Sequence, residues 1–237
     1  MRLTSELLEY VHQDMDDPGP LPHVEHFSDE DYVRIVDRLE EGLPSGDPVR
    51  VFAYGSLIWK PEYKIKRSWI GQVFGWHRAF CMHIERFRGT REVPGLMMGL
   101  ERGGSCRGMI HEIPLSERRQ SLDSIVRREM ITTPCTYEPR WLRVHCGGEV
   151  VMALAFVFDH KGVFYRGGLA MDDVAERLSK AVGHLGSNAE YLMNTIRHLE
   201  DIGVTDRNLC KLEHRVASLI HARHCHCKGT AEVLLER

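Results

Sequence analysis

Glu129 is a carboxylate placed where the sequence predicts an apolar helix face. Residues 116–130 have a helical pattern. The apolar stripe of this helix consists of Leu122, Ile125 and Val126, and Glu129 continues it four positions after Ile125. Burial and the negative end of the helix dipole both disfavour an ionised carboxylate, so we expect the pKa of Glu129 to lie above its usual value. Such a group can act as a general base near neutral pH.

A simpler interpretation of Glu129 stays open at this point. The helix could end one turn early, and the Glu129 carboxylate could then reach solvent. It could also form an ion pair with Arg127 or Arg128, which precede it. The pattern of apolar residues does not decide between these interpretations.

A second feature with chemical potential is the turn Tyr54-Gly55-Ser56-Leu57-Ile58, directly after the apolar run Val51-Phe52-Ala53. A strand that ends in a Gly-Ser turn leaves several backbone N–H groups unpaired and pointing in one direction. This arrangement can bind a small anion such as a carboxylate. Gly and Ser are also common in ordinary tight turns, so that interpretation stays open as well.

Other candidate sites have weaker patterns. Ser56 lies in Ala53-Tyr54-Gly55-Ser56-Leu57, which does not match the G-x-S-x-G elbow of serine hydrolases. Cys81 and His83 are two apart on a predicted strand, a spacing that does not set them at hydrogen-bond distance. The glycines and arginines of residues 88–108 fit either a polar pocket mouth or hairpin turns with solvated side chains.

Five potential metal ligands lie close together near the C-terminus. They are His221, His224, Cys225, His226 and Cys227. A structural zinc site usually takes two ligand pairs from separate segments, and this cluster has no clear second pair. We therefore predict neither a functional metal nor another cofactor, and we expect a chelator to leave stability unchanged.

Composition argues against several classes of function. The 237 residues carry a formal net charge of −3, so no positive excess attracts nucleic acid or acidic lipid. No apolar run reaches the roughly 20 residues of a membrane span, and the first residues lack the apolar segment of a signal peptide. The seven cysteines are an odd, scattered set that does not fit a secreted disulfide framework. We expect a cytoplasmic protein with free thiols.

Short apolar and alternating segments dominate the middle of the chain and predict strands. The predicted strands are 51–54, 69–75, 78–83, 96–100, 106–113, 141–145 and 150–158. Glycine turns at Gly103-Gly104 and Gly147-Gly148 favour antiparallel hairpins. The prediction is therefore an α+β fold, with a small, mostly antiparallel closed sheet or barrel and helices packed against it.

Helical patterns lie on either side of these strands. Ser28 is a predicted cap for an N-terminal helix with Tyr32, Ile35, Val36 and Leu39 on one face. Three further helices are predicted in the last quarter of the chain, with starts at Asp173 and Ser187 for the first two. The predicted domain organisation comprises an N-terminal extension with one helix (1–48), a main domain (49–222) and a C-terminal tail (223–237).

Several segments share an order and spacing that carry a family resemblance. They are Val51-Phe52-Ala53-Tyr54-Gly55-Ser56-Leu57-Ile58-Trp59, Gly75-Trp76-His77-Arg78 with Phe80-Cys81, Arg88-Gly89-Thr90 with Pro94-Gly95, Arg128-Glu129-Met130, and Gly186-Ser187-Asn188-Ala189-Glu190-Tyr191-Leu192. Together they resemble the ChaC-type γ-glutamylcyclotransferases over residues 50 to 200. This match is more specific than the Tyr-Gly-Ser-Leu turn alone.

The resemblance implies a γ-glutamylcyclotransferase-like fold and a reaction. In that reaction glutathione is cleaved to 5-oxoproline and cysteinylglycine by its own amine, without water or metal. Glu129 matches the family's acid/base residue, and the resemblance also implies a set of substrate-binding residues. These are Val51, Phe52, Ala53, Tyr54, Gly55, Ser56 and Leu57, together with Tyr165, which resembles a tyrosine that lines the pocket.

The chain also departs from the family pattern. Residues 130–137 form a longer segment after Glu129 than the family leads us to expect, so the pocket wall and the accepted γ-glutamyl amine can differ. Residues 1–48 fall outside the match. The alternative functions are a cyclotransferase for another γ-glutamyl amine and a non-catalytic module that binds a γ-glutamyl or carboxylate ligand. An interaction protein that works through its two ends has little support in the sequence.

Overall fold

The computed structural model describes residues 1–22, 24–43 and 46–235, with side chains described as far as residue 225. Within these ranges the helices are α1 (Ser5–Glu9), α2 (Asp29–Glu41), α3 (Arg118–Glu129), α4 (Met171–Leu178), α5 (Asn188–Asp201) and α6 (Arg207–Leu235). The strands are β1 (Glu25–His26), β2 (Arg50–Ala53), β3 (Arg67–Ile84), β4 (Gly95–Glu112), β5 (Thr132–Thr133), β6 (Tyr137–Cys146), β7 (Glu149–Phe158), β8 (Val182–Gly183) and β9 (Gly186–Ser187). Short 3₁₀ turns cover Ser56–Ile58 and Leu115–Glu117.

Strands of the middle region close into a barrel in the order β2-β4-β3-β6-β7. The pairs β2–β4, β3–β6 and β6–β7 are antiparallel. Parallel pairing of β7 closes the barrel, with Val51 opposite Leu154 and Leu100 opposite Val157. The predicted α+β fold with a small, mostly antiparallel closed sheet is confirmed.

The two glycine turns predicted from the sequence have different outcomes. Gly147 and Gly148 join β6 to β7 with φ of 57° and 90°, the positive values that a two-residue hairpin of type I′ requires. That prediction is confirmed. Gly103 and Gly104 also have positive φ, of 101° and 65°, but they lie inside the continuous strand β4.

The Gly103-Gly104 hairpin was therefore a wrong prediction, and the predicted strands 96–100 and 106–113 are one strand. The predicted strands 69–75 and 78–83 are likewise merged in β3, which has its own positive-φ residue, Gly75, at 79°. Glycine inside a long strand allows a bulge or bend where a barrel curves, without ending the pairing. A hydrogen bond between His77 Nδ1 and Gly103 O, 3.0 Å long, joins the two strands at this bend.

Most predicted helices are present, but some begin at other residues. Ser28 caps α2 in a capping box with Asp31, and Ser187 caps α5, as predicted. The predicted cap Asp173 is wrong because α4 already begins at Met171, so this carboxylate lies in the first turn and interacts with the helix dipole. A 3₁₀ turn over Leu115–Glu117 precedes α3, and this helix begins without a side-chain cap.

The chain forms two compact units. One comprises Pro22–Ala79 and Met98–Tyr165 and contains most of the barrel, α2 and α3. The other comprises Met1–Leu21, Phe80–Met97 and the chain from Arg166 onward, and contains α1, α4, α5 and α6. The predicted borders after residues 48 and 222 do not coincide with these units, and α6 runs through the second border. The predicted domain division stays a prediction.

The start of the chain is a packed part of its unit. The side chains of Leu3 and Leu7 are buried. Arg2 Nε lies 3.1 Å from Glu213 Oε2, and the backbone N–H of Leu3 donates to Glu213 Oε1 over 3.3 Å. The Glu213 side chain is only 2% exposed. These contacts provide hydrogen-bond donors for the buried Glu213 carboxylate on α6.

The remaining sequence expectations concern thiols and membranes. The cysteines whose side chains are described, at positions 81, 106, 135, 146, 210 and 225, are free thiols, as predicted. Within the described ranges, none of the helices combines the length and apolar character that crossing a membrane needs.

Candidate active site

The last turn of α3 carries Glu129 and is intact. The stripe residues Leu122, Ile125 and Val126 are buried, as the sequence predicts. The backbone N–H of Met130 donates to Val126 O over 2.8 Å, so the helix continues to Glu129. The alternative in which the helix ends one turn early is wrong. The ion pair that the alternative proposed is present, with Arg128.

The Glu129 side chain is sheltered, with 16% of its surface exposed. Burial raises the pKa of its carboxyl group to about 7. The positive charge of Arg128 opposes this shift, and the negative charge of Glu62 adds to it. A carboxyl group with this pKa exchanges its proton readily near neutral pH, as a general base or acid must.

Arg128 connects Glu129 to the turn after β2. Its Nε lies 3.3 Å from Glu129 Oε1, and its Nη2 donates to Ser56 Oγ over 3.1 Å. One guanidinium group therefore contacts both the candidate base and the candidate anion-binding turn. The neighbouring Arg127 has different partners, since its Nε is 2.9 Å from Asp123 Oδ2 and its Nη1 is 2.7 Å from Asp29 Oδ1.

The turn itself begins at the end of a buried strand. The side chains of Val51, Phe52 and Ala53 are fully buried in the barrel, so the turn follows directly from a well-packed strand. Residues 56–58 form a 3₁₀ turn, in which Ile58 N donates to Gly55 O over 2.9 Å. Among the described hydrogen bonds, the N–H groups of Ser56 and Leu57 are not donors, as is usual at the start of a helical turn. N–H groups in this arrangement can donate to a small anion, and the binding role of the turn stays a prediction.

Two buried side chains hold the backbone at this corner. The Tyr54 hydroxyl donates to Phe156 O over 2.7 Å. Arg78 Nε donates to Tyr54 O over 2.7 Å, and its Nη2 donates to Arg107 O. Arg78 is buried, so these carbonyl groups receive a charge-assisted hydrogen bond in place of water.

Sequence reasoning did not identify Tyr63 and His111 as parts of this region. The Tyr63 hydroxyl and His111 Nδ1 are 2.9 Å apart. Burial raises the pKa of Tyr63, and the charge of Glu129 raises it further. Burial also lowers the pKa of His111 to about 4, so its imidazole is neutral near pH 7 and can accept a hydrogen bond. A histidine within the apolar segment 106–113 was the signal that could have identified this pair.

Cys135 is a further neighbour of Glu129 that sequence reasoning left without a role. Burial raises the pKa of its thiol to about 11, and the charge of Glu129 contributes to the shift. The thiol therefore stays protonated near neutral pH. A protonated thiol is a weak nucleophile, so we expect no nucleophilic role for Cys135.

Tyr165 lies in a polar cluster after β7. Its hydroxyl donates to Glu101 Oε2, and its ring stacks on His160 with 4.7 Å between the ring centroids. His160 Nε2 also contacts Glu101 Oε1. The role of Tyr165 in lining a pocket stays a prediction.

Residues from the predicted N-terminal extension support the segment around Glu129. The hydroxyl of Tyr32, on α2, donates to Met130 O over 2.9 Å. Glu25 and His26 form β1 and pair with Thr133 and Thr132 of β5. Both contacts fix the chain immediately after Glu129, a role that the sequence did not reveal.

The predicted absence of a C-terminal metal site is not decided by the structure. Among the side chains that the structure describes, no group of three or more potential ligands is arranged around a common point. The side chains of His226 and Cys227 lie outside the described residues, and the Cys225 Sγ is 3.7 Å from His221 Nε2.

Comparison with known sequences gives consistent matches. A family model described as ChaC-like protein matches residues 49–219. A protein named glutathione-specific gamma-glutamylcyclotransferase from Escherichia coli (strain K12) is 35% identical over 178 residues, which is 75% of this chain and 76% of that protein. Glutathione-specific gamma-glutamylcyclotransferase 1 from Danio rerio is 32% identical over 150 residues, which is 60% of this chain and 74% of that protein.

Comparison with solved structures supports the same fold. The crystal structure of a gamma-glutamyl cyclotransferase specific to glutathione from yeast superposes with a TM-score of 0.66. The match covers 74% of this chain and 100% of the yeast chain, at 19% sequence identity. At this identity the likeness concerns the barrel and its helices and extends no further.

Proposed function

The chain belongs to the family of ChaC-like proteins, and from that premise we propose that it is a glutathione-specific γ-glutamylcyclotransferase. It converts glutathione into 5-oxoproline and cysteinylglycine. One observation carries this proposal: the sheltered Glu129 carboxyl group, with a pKa raised to about 7, is joined by Arg128 to Ser56 of an anion-binding turn.

The first step of the proposed reaction is proton removal. At neutral pH the α-amino group of glutathione is an ammonium ion without a free lone pair, so it cannot attack a carbonyl carbon. Glu129 takes one proton from it. The resulting amine then attacks the γ-carbonyl carbon of the same molecule and forms the C–N bond of the five-membered ring.

The second step breaks the original amide bond. The departing nitrogen of the cysteinylglycine portion would leave as an unstable anion, so Glu129 returns the proton to it. The ring nitrogen loses its second surplus proton as the intermediate collapses, and the released amine takes up this proton, so the carboxyl group ends in its starting state and no water is consumed. Because the reaction is intramolecular, correct folding of the γ-glutamyl chain supplies much of the rate enhancement.

The turn supplies the groups that bind negative charge. The α-carboxylate of the substrate and the oxyanion on the γ-carbonyl both need hydrogen-bond donors. The N–H groups of Gly55, Ser56 and Leu57 and the Ser56 hydroxyl are donors of the required kind. Val51, Phe52, Ala53 and Tyr54 support this turn from the barrel, and we propose that Tyr165 closes one side of the pocket.

Incubating the purified protein with glutathione is expected to produce equal amounts of 5-oxoproline and cysteinylglycine. The expected ratio follows from the intramolecular mechanism, because each cleaved molecule gives one of each product. The products are measured by liquid chromatography with mass spectrometry, and a parallel sample with a chelator is expected to react equally fast.

Substrate variants in the same assay distinguish the alternatives. Other γ-glutamyl amines test which leaving group is accepted, and turnover of one of these without turnover of glutathione would assign the protein to another cyclotransferase activity. Saturable binding of glutathione by calorimetry without any 5-oxoproline would identify a non-catalytic binding module. Either result would contradict the proposed function.

The pH dependence of kcat/KM is expected to report the ionisation of Glu129. The base must be ionised to accept a proton, so activity rises with pH through about 7, the raised pKa of this carboxyl group. Below that value the rate falls about tenfold per pH unit. Initial rates between pH 5 and 8 measure this limb, with circular dichroism at each pH as the control for folding. A rate that is flat over this range would exclude Glu129 as the base.

We also propose that the protein is cytoplasmic. Free thiols at the described cysteines are typical of proteins in reducing compartments, where glutathione is also kept reduced. The net charge of −3 gives no reason to expect nucleic acid as a partner. The substrate is a small peptide, and the proposed reaction uses no cofactor.

A further inference from the structure

One side chain links the two parts of the proposed catalytic machinery. We propose that Arg128 is a positioning residue, which fixes the Glu129 carboxylate beside the Ser56 hydroxyl. This inference rests on the proposed function and adds a residue to it.

The two contacts come from one rigid group. Arg128 Nε is 3.3 Å from Glu129 Oε1, and Nη2 is 3.1 Å from Ser56 Oγ. A guanidinium group is planar, and its donors have fixed relative directions. The geometry of one rigid group therefore limits the distance between the Glu129 carboxylate and the Ser56 hydroxyl. Contacts with two separate groups would not impose this limit.

The guanidinium is itself held from the other side. Its Nη1 donates to Lys60 O and lies 3.3 Å from Glu62 Oε2. The Arg128 side chain is only 19% exposed, so these contacts are poorly screened by water. Each guanidinium nitrogen therefore has an oxygen atom within 3.3 Å, and two of the three donate hydrogen bonds, which restricts movement of the group away from Glu129.

The contact with Ser56 determines what its hydroxyl can do. A serine hydroxyl has one donor and two acceptor positions. Arg128 donates to Ser56 Oγ and occupies an acceptor position, so the hydroxyl hydrogen remains available as a donor. A donor at this place suits the carboxylate or the developing oxyanion of the substrate.

The charged and titratable groups around Glu129 come from several elements. Arg128 lies on α3, Glu62 and Tyr63 lie on the segment before β3, and Cys135 lies after β5. The pKa values of Tyr63 and Cys135 are raised, so both groups are neutral near pH 7. The negative charge of Glu62 disfavours ionisation of Glu129, whereas the positive charge of Arg128 favours it. Removal of Arg128 therefore leaves the Glu129 carboxylate buried and near the like charge of Glu62, and both disfavour its ionised form.

The variant Arg128→Met is expected to move the acidic limb of the kcat/KM profile upward by about one pH unit. Activity at pH 7 is expected to fall roughly tenfold, because less of the carboxylate is ionised and its orientation is lost. Methionine keeps the length and helix preference of the side chain. Near-ultraviolet circular dichroism verifies that the variant is folded.

Two further variants serve as comparisons. Arg127→Met changes the preceding residue, whose partners are Asp123 and Asp29, and is expected to leave the limb in place. Arg128→Lys keeps the charge but loses the planar fork. In Arg128→Lys, the acidic limb of the kcat/KM profile is expected to lie close to its wild-type pH, while kcat/KM itself stays below the wild-type value.

A titration of the unliganded protein separates this inference from the proposed function. The ¹³C chemical shift of the Glu129 carboxyl group is followed from pH 4 to 9 in the wild type and in Arg128→Met. A higher midpoint in the variant supports the positioning role, even if the protein does not act on glutathione. An unchanged midpoint, or an equal shift in Arg127→Met, overturns it, even if glutathione is a substrate.

Discussion

The variant Glu129→Gln is expected to lower kcat for 5-oxoproline formation by about 10² to 10⁴, the usual effect of losing general acid–base catalysis. Glutamine has nearly the same shape but cannot take up and return a proton. Its amide can still accept a hydrogen bond from Arg128, so the helix end and the Ser56 contact are expected to persist. Steady-state kinetics with glutathione measures the effect, and calorimetry verifies that binding is retained.

The same variant has a predicted effect on stability that depends on pH. The pKa of Glu129 is about 7 in the folded protein and about 4.5 as an unperturbed group. Its contribution to stability is therefore fully present below pH 4.5 and is lost as the pH rises through about 7. The glutamine variant lacks this ionisation. Its free energy of unfolding should fall less between pH 5 and 8 than that of the wild type.

A matched change of another carboxylate provides the control. Glu138 lies on β6 and forms an ion pair of 2.8 Å with Arg140 at the surface. Glu138→Gln is expected to leave kcat within about twofold of the wild type, since exposed ion pairs contribute little. Turnover near the wild-type rate in Glu129→Gln would show that another group moves the proton.

The second large effect is expected for Gly108→Val, which should lower the free energy of unfolding by about 3 kcal/mol, at the upper end for overpacked cores. A Cβ at position 108 would lie 2.5 Å from Ala53 O and 3.0 Å from Phe52 Cζ. The first is a backbone atom of β2, and the second belongs to a fully buried ring. Neither can move away without disturbing the strand that leads into the turn.

Urea denaturation of Gly108→Val measures this change. Arg107→Ala alters the exposed neighbour on β4 and is expected to change stability by less than about 0.5 kcal/mol. Because β2 carries the turn at residues 54–57, the folded fraction of Gly108→Val is also expected to bind glutathione more weakly. Wild-type stability in Gly108→Val would contradict the close packing of Gly108 against Ala53 and Phe52.

The sequence predicted those features that depend on local patterns. Spacing along α3 is a local property, so the sheltered position of Glu129 followed from Leu122, Ile125 and Val126. Gly147-Gly148 and Gly103-Gly104 show the limit of this approach. Both pairs have the residues and positive φ values of a turn, but only the first ends a strand, because pairing with distant strands decides where a strand stops.

The surroundings of Glu129 depend on contacts that no local pattern encodes. Ser56 and Arg128 are 72 positions apart in the chain. Tyr63 and His111 are 48 positions apart. These pairs meet only because the tertiary fold brings distant segments together: Ser56 after β2 meets Arg128 on α3, and Tyr63 before β3 meets His111 on β4. The family resemblance named Glu129 and the turn, but it did not reveal the guanidinium group between them.

Residues that precede the family-matched segment 49–219 provide hydrogen-bond partners to polar groups inside it. A fragment reduced to it would leave the Glu213 carboxylate without Arg2 and the backbone N–H of Leu3. It would also leave Met130 O without the Tyr32 hydroxyl. A buried charge without a partner is strongly destabilising. In this protein both requirements are met by residues that precede the matched segment.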